Sequence, residues 1–147
     1  MFASPNRVGR LAGQGGGITL LPIGSDLMPV PTLWVTTAGA GATFSTVDGP
    51  PRVISITAAG ATSSIRVSTT VATASWYRMT WSVLLSNMFL LLGTTNGGAQ
   101  YKSAASSQPI GTYTFDFLTT STALWLQFQR TGTGVSEARN MTLFKLG

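Results

Sequence analysis

From Trp34 onward, apolar and polar residues alternate in short runs separated by Gly, Pro, Asn and Asp. A period of two puts successive side chains on opposite faces of an extended chain. In residues 76–85, Tyr77, Met79, Trp81, Val83 and Leu85 share one face, opposite Trp76, Arg78, Thr80 and Ser82. In residues 112–118, Tyr113, Phe115 and Phe117 oppose Thr112, Thr114 and Asp116. In residues 123–129, Leu124, Leu126 and Phe128 oppose Trp125, Gln127 and Gln129. The spacing predicts strands over residues 52–57, 64–71, 76–85, 88–92, 99–103, 112–118, 123–129 and 140–146. Turns are predicted at Asp48-Gly49-Pro50, Ala59-Gly60, Asn96-Gly97-Gly98, Pro109-Ile110-Gly111 and Thr131-Gly132-Thr133-Gly134. No run of ten or more residues carries a helical stripe. The prediction is therefore an all-β, two-sheet antiparallel β-sandwich. Its core is the apolar faces just named, joined by Ile65, Val67, Met141 and Leu143.

The first part of the chain follows no such pattern. Gly13, Gly15, Gly16 and Gly17 punctuate it, then Pro22, Pro29 and Pro31. Residues 1–31 read as an extended Gly/Pro-rich arm with one strand-like piece at residues 18–23, and residues 32–147 as the sandwich domain. Alone in water such an arm is expected to be mobile unless the domain itself or a neighbouring subunit holds it.

Composition narrows the classes. A chain of 147 residues suffices for one domain with a real core. Charged residues make up only 9%, against the ~25% usual for globular domains, and hydrophobic residues 44%. Solubility must come from Ser, Thr, Gln and Asn, or much of the surface is covered in use. The formal net charge of +5 reflects scarce acids more than clustered bases. Arg52, Arg66, Arg78, Lys102, Arg130, Arg139 and Lys145 are spread along the chain, so no specific nucleic-acid partner is expected. There is no Cys, hence no disulfide framework. No window holds the ~18 apolar residues of a membrane span, and the N-terminus lacks the apolar core of a signal peptide.

The chemistry available is limited. With neither His nor Cys, Ser–His–Asp and Cys–His sites are excluded and zinc loses its preferred ligands. The acids are Asp26, Asp48, Asp116 and Glu137, of which Asp116 and Glu137 form the one pair near the sandwich. Asp48 precedes Gly49-Pro50, where a turn accounts for it, and Asp26 lies in the arm, where it would cap a turn. The glycines at residues 13–17 lack the Lys and the strand–helix setting of a phosphate loop. The expectation is a chain that is not an enzyme and holds no metal or cofactor. A binding face is better founded. Trp76 and Trp125 project from the non-core sides of their strands, accompanied by Arg78, Gln127 and Gln129. Such a set would stack on a sugar ring and hydrogen-bond its hydroxyls, would meet another subunit, or would be covered by the arm or a loop. Trp34 reads as packing at the start of the sandwich.

In order along the chain come Trp34, then Val53-Ile54-Ser55-Ile56, Ile65-Arg66-Val67-Ser68 and the aromatic strand Trp76-Tyr77-Arg78-Met79-Thr80-Trp81. Gly111-Thr112-Tyr113-Thr114-Phe115-Asp116-Phe117 follows, then Leu124-Trp125-Leu126-Gln127-Phe128, Gly132-Thr133-Gly134 and the closing Asn140-Met141-Thr142-Leu143. From about Trp34 to Leu146 this series resembles the carbohydrate-binding-module-like jelly rolls of bacteriophage virion proteins and bacterial glycan-binding modules. The resemblance implies a jelly-roll fold and a structural part in a virion, as a capsid decoration, head-fibre or tail-associated subunit. It also implies other virion proteins as partners and a symmetric homo-oligomer such as a trimer. The arm, through Arg7, Arg10, Leu20, Leu21 and Ile23, would dock on a neighbour, and the jelly roll would touch a host-surface glycan. The alternative it offers is a carbohydrate-binding module that recognises glycans through an aromatic platform. Ala138-Arg139 stands where related modules often carry an Asp that helps hold calcium, consistent with expecting no cofactor.

Overall fold

The computed structural model describes residues 19–102 and 107–147. Arg7, Arg10 and the greater part of the predicted arm lie outside the described residues. The elements are β1 (Pro22–Ile23), a 3-10 turn (Pro31–Leu33), β2 (Val35–Thr37), β3 (Thr43–Val47), β4 (Val53–Thr70), β5 (Trp76–Leu84), β6 (Phe89–Gly93), β7 (Gly111–Leu118) and β8 (Ala123–Leu146). All strand pairs are antiparallel.

The fold is built on a ribbon of two long strands. β4 runs for 18 residues and β8 for 24, and they pair from Val53↔Arg139 to Thr70↔Ala123. The flanking strands differ along its length. The half made of residues 53–60 and 132–146 is flanked by β3 on one side and by β5 and then β7 on the other. The half made of residues 63–70 and 123–130 is flanked by β2 and β6. Both halves bury their apolar side chains in one common cluster. The ribbon therefore folds over on itself, and the continuous hydrogen-bonded sheet becomes the two layers of a β-sandwich.

Glycines and bulges make that fold-over work. Gly60 and Gly132 face each other across the ribbon with φ of 119° and 86°, and Gly134 has φ of 124°. Backbone in this region is open to glycine and strained for other residues. Ala59-Gly60 and residues 131–134, predicted from sequence as reversals, are thus kinks inside continuing strands. A register shift between Gly60 and Ser63 then moves the inward positions of β4 from Ile54, Ile56 and Ala58 to Ile65 and Val67. In β8, Asn140 at φ 53° does the same, moving them from Ala138 to Met141 and Leu143.

The predicted core is buried at Ile65, Val67, Tyr77, Met79, Trp81, Val83, Phe117, Leu124, Leu126, Phe128, Met141 and Leu143. Tyr113 and Phe115 pack against it while half-buried. Leu85 is a correction. β5 ends at Leu84, and Leu85 turns out of the strand with φ of 71°, leaving its side chain 62% exposed. Trp34 is buried and stacks on Phe128 at 5.7 Å, as a packing residue would. The Trp81 indole donates to the buried Gln108 side chain at 3.1 Å, which satisfies both polar groups.

Three further differences from the sequence reading stand out. β2 and β3 were not anticipated, because residues 35–47 are rich in Thr, Ala and Gly and alternate weakly. In place of a strand at residues 99–103, Tyr101 and Lys102 both donate to the Leu92 carbonyl, and Gln100 turns back to accept from the Thr94 amide. Ser103 lies outside the described residues. Finally, the end of the predicted arm is built into the sandwich. Where β4 leaves β8 at Val53, residues 21–28 take its place. β1 pairs with Lys145 and Leu146, and the Leu27 amide donates to the Leu143 carbonyl. Asp26 accepts from the amides of Met28 and Leu143 and pairs with Arg52. Met28 is itself a core residue.

Candidate functional site

The two layers place Trp76 and Trp125 on opposite outer surfaces. This corrects the expectation of a single face holding Trp76, Arg78, Trp125, Gln127 and Gln129. Trp76 and Arg78 belong to β5, whose layer continues into β7. Trp125, Gln127 and Gln129 belong to the half of β8 between β4 and β6. Each group points away from the shared core, so no ligand ring can touch both indoles.

On the β5 face, Arg78 lies opposite Asp116 and grips it with two hydrogen bonds of 2.7 Å each. This raises the Arg78 pKa above its ordinary value, the hydrogen bond to Asp116 being the main cause. Trp76 is 44% exposed beside Leu118, also exposed. Thr19 and Leu20 approach Trp76, Arg78 and Asp116 around a hollow of about 340 Å³. Leu21 and Ile23 are exposed nearby in the chain.

On the other face lies a groove of about 700 Å³. Its floor is the outer side of β4 and β8: Arg66, Ser68, Thr70 and Trp125. Trp125 stands opposite Ser68 on one flank and Gly93 on the other. One wall is apolar, formed by Leu27, Pro29, Leu33 and Val35. Across from it, Asn96 comes from the loop after β6. That loop must sit close, because a Cβ at Gly93 would lie 2.4 Å from the Gly98 carbonyl carbon. Gln127, opposite Arg66, continues the row along β8, and its amide donates to Gln129 at 3.2 Å. Arg66 donates to the Thr37 hydroxyl at 2.6 Å.

Of this groove the sequence reading singled out Trp125, with Gln127 and Gln129 on the same face of β8 but outside the groove lining. It missed Arg66, Ser68 and Thr70, although alternation against Ile65 and Val67 already put them on an outer face. What it lacked was the pairing that sets this strand beside Trp125.

The four carboxylates all have partners: Asp26 with Arg52, Asp48 with the Thr32 amide and hydroxyl, Asp116 with Arg78, and Glu137 with Arg139. None lines the groove.

No protein-family model matches the chain, and no curated protein is similar to it in sequence. Solved structures do match. The CBM22-1 xylan-binding domain of Paenibacillus barcinonensis Xyn10C superposes with a TM-score of 0.56 at 12% identity, over 85% of this chain and 97% of that one. A CBM4 structure superposes at 0.51 and 12% identity, over 85% of this chain and 94% of the other. The fold is a carbohydrate-binding-module-like β-sandwich. The enzymatically active domain of tailspike protein 4 from bacteriophage CBA120 also matches, with a TM-score of 0.54 at 12% identity over 78% of this chain. The match spans 19% of that tailspike chain.

Proposed function

We propose that this chain is a non-catalytic glycan-binding domain that works in a bacteriophage virion. The groove over Trp125 carries the first part of the reading. It offers one half-exposed aromatic face, hydroxyl, amide and guanidinium donors around it, and an apolar wall. Its volume falls within the roughly 300–1,000 Å³ of small-molecule sites. The fold supports the same reading, since two whole carbohydrate-binding modules share it, one of them a xylan-binding domain. Setting the domain in a virion rests on the sequence resemblance to virion jelly rolls and on the fold shared with part of a tailspike. The absence of catalysis rests on the carboxylates, each of which already holds a structural partner. A glycan array followed by calorimetry on Trp125→Ala tests the site. Binding lost in a folded variant supports it, and unchanged binding removes it.

A second reading concerns the other face. Trp76 and Leu118 form an exposed apolar pair, the pattern of a subunit contact in a homo-oligomer. Light scattering on the full chain and on Trp76→Glu tests this. An oligomer that falls to monomer supports it, and a monomer in both cases removes it.

A further inference from the structure

The groove also carries a statement about its ligand, which rests on the glycan-binding reading above. The arginines among the described residues are Arg52, Arg66, Arg78, Arg130 and Arg139. Arg52, Arg78 and Arg139 each pair with a carboxylate. Arg130 is buried at the ribbon kink, where it donates to the Ser86 and Ser136 hydroxyls and the Thr133 and Asn87 carbonyls. Arg66 differs from all of these. It is half-exposed, it faces the groove, and its side chain has one partner among the described residues, the neutral Thr37 hydroxyl. With no carboxylate in the lining, its charge is balanced by nothing in the site.

The register fixes its relation to the indole. Ser68 is opposite Trp125 and Arg66 is opposite Gln127, so Arg66 and Trp125 are diagonal neighbours on one face. Their Cα atoms are therefore about 7–8 Å apart, so the long Arg66 side chain can reach a carboxylate carried by a sugar ring that lies on the indole. We propose that the groove selects a uronic-acid-bearing glycan, its ring stacked on Trp125 and its carboxylate held by the fork of Arg66. A neutral glycan would offer the guanidinium only hydroxyl acceptors, of the kind that Thr37 and water already supply. A planar carboxylate matches its geometry and charge. The alternative of a general attraction to polyanions is separable, because Lys145 carries the same charge at the far end of β8, away from the groove.

The test is calorimetry of the full chain against a panel of uronate-containing oligosaccharides and the same oligosaccharides after carboxyl reduction to the neutral sugars. Arg66→Gln, Trp125→Ala and Lys145→Gln are titrated in parallel, with folding checked by circular dichroism. The expected result is a preference of roughly ten- to hundredfold for the acidic form, lost in Arg66→Gln and kept in Lys145→Gln. Equal affinity for acidic and reduced forms, with binding still dependent on Trp125, would overturn the uronate assignment and leave the glycan-binding reading standing. Acidic binding weakened equally by Arg66→Gln and Lys145→Gln would overturn it in favour of diffuse charge attraction. No binding to any acidic or neutral member would overturn both.

Discussion

Trp125 is the residue on which glycan recognition should turn, because its indole is the one aromatic face in the groove floor. Its removal is expected to weaken glycan binding by about 2 kcal/mol or more, roughly thirtyfold, as for a central interface aromatic. Trp76→Ala should leave that affinity unchanged, since it lies on the opposite surface; calorimetry on the two single variants separates them. Arg130 shows what a buried charge does without a counter-ion. Its two terminal nitrogens donate to hydroxyls and carbonyls that would lose their donor together, while its Nε is buried without a partner. Arg130→Ala is expected to destabilise the fold by about 2–4 kcal/mol, measured by urea unfolding, with no need for any change at the groove.

At the level of elements, the kinked ribbon is the weak point and the device that makes the sandwich. Gly60 and Gly134 hold φ values that a side chain resists, and a Cβ at Gly134 would approach the Arg130 guanidinium to 2.6 Å. Gly60→Val and Gly134→Ala should each cost about 1–3 kcal/mol, seen as a lower urea midpoint with the same slope. Gly49 supplies the control. It has no positive φ and open space where a Cβ would go, so Gly49→Ala should fall within about 0.5 kcal/mol of the parent. Alternation could not reveal this ribbon. A Gly-rich break between two apolar runs reads the same whether the chain reverses there or bends and continues.

For the whole molecule, the described N-terminal residues decide where the domain begins. A chain starting at Thr32 would lose β1, the Asp26 hub and the buried Met28. It should melt more than ~5 °C below a chain starting at Thr19, since even 1–2 kcal/mol shifts the midpoint by several degrees at this size. Differential scanning calorimetry on the two truncations checks this, and equal midpoints would mean the segment adds little. Any test of the arm in assembly should therefore cut before Thr19.

The alternating strands of residues 76–85, 112–118 and 123–129 announced their inward faces locally, because a strand's side chains alternate wherever it goes. The core list was therefore legible down to Leu124, Leu126 and Phe128, and so was the poverty of catalytic groups. Those are properties of residue type and local period. Which outer faces share a surface is a property of pairing between distant segments. Trp76 and Trp125 had equal claims to one platform until the ribbon folded them onto opposite layers. Arg66 had no claim until β4 was set beside β8, where pairing over long sequence separation placed an arginine without a carboxylate partner in the same groove as an indole.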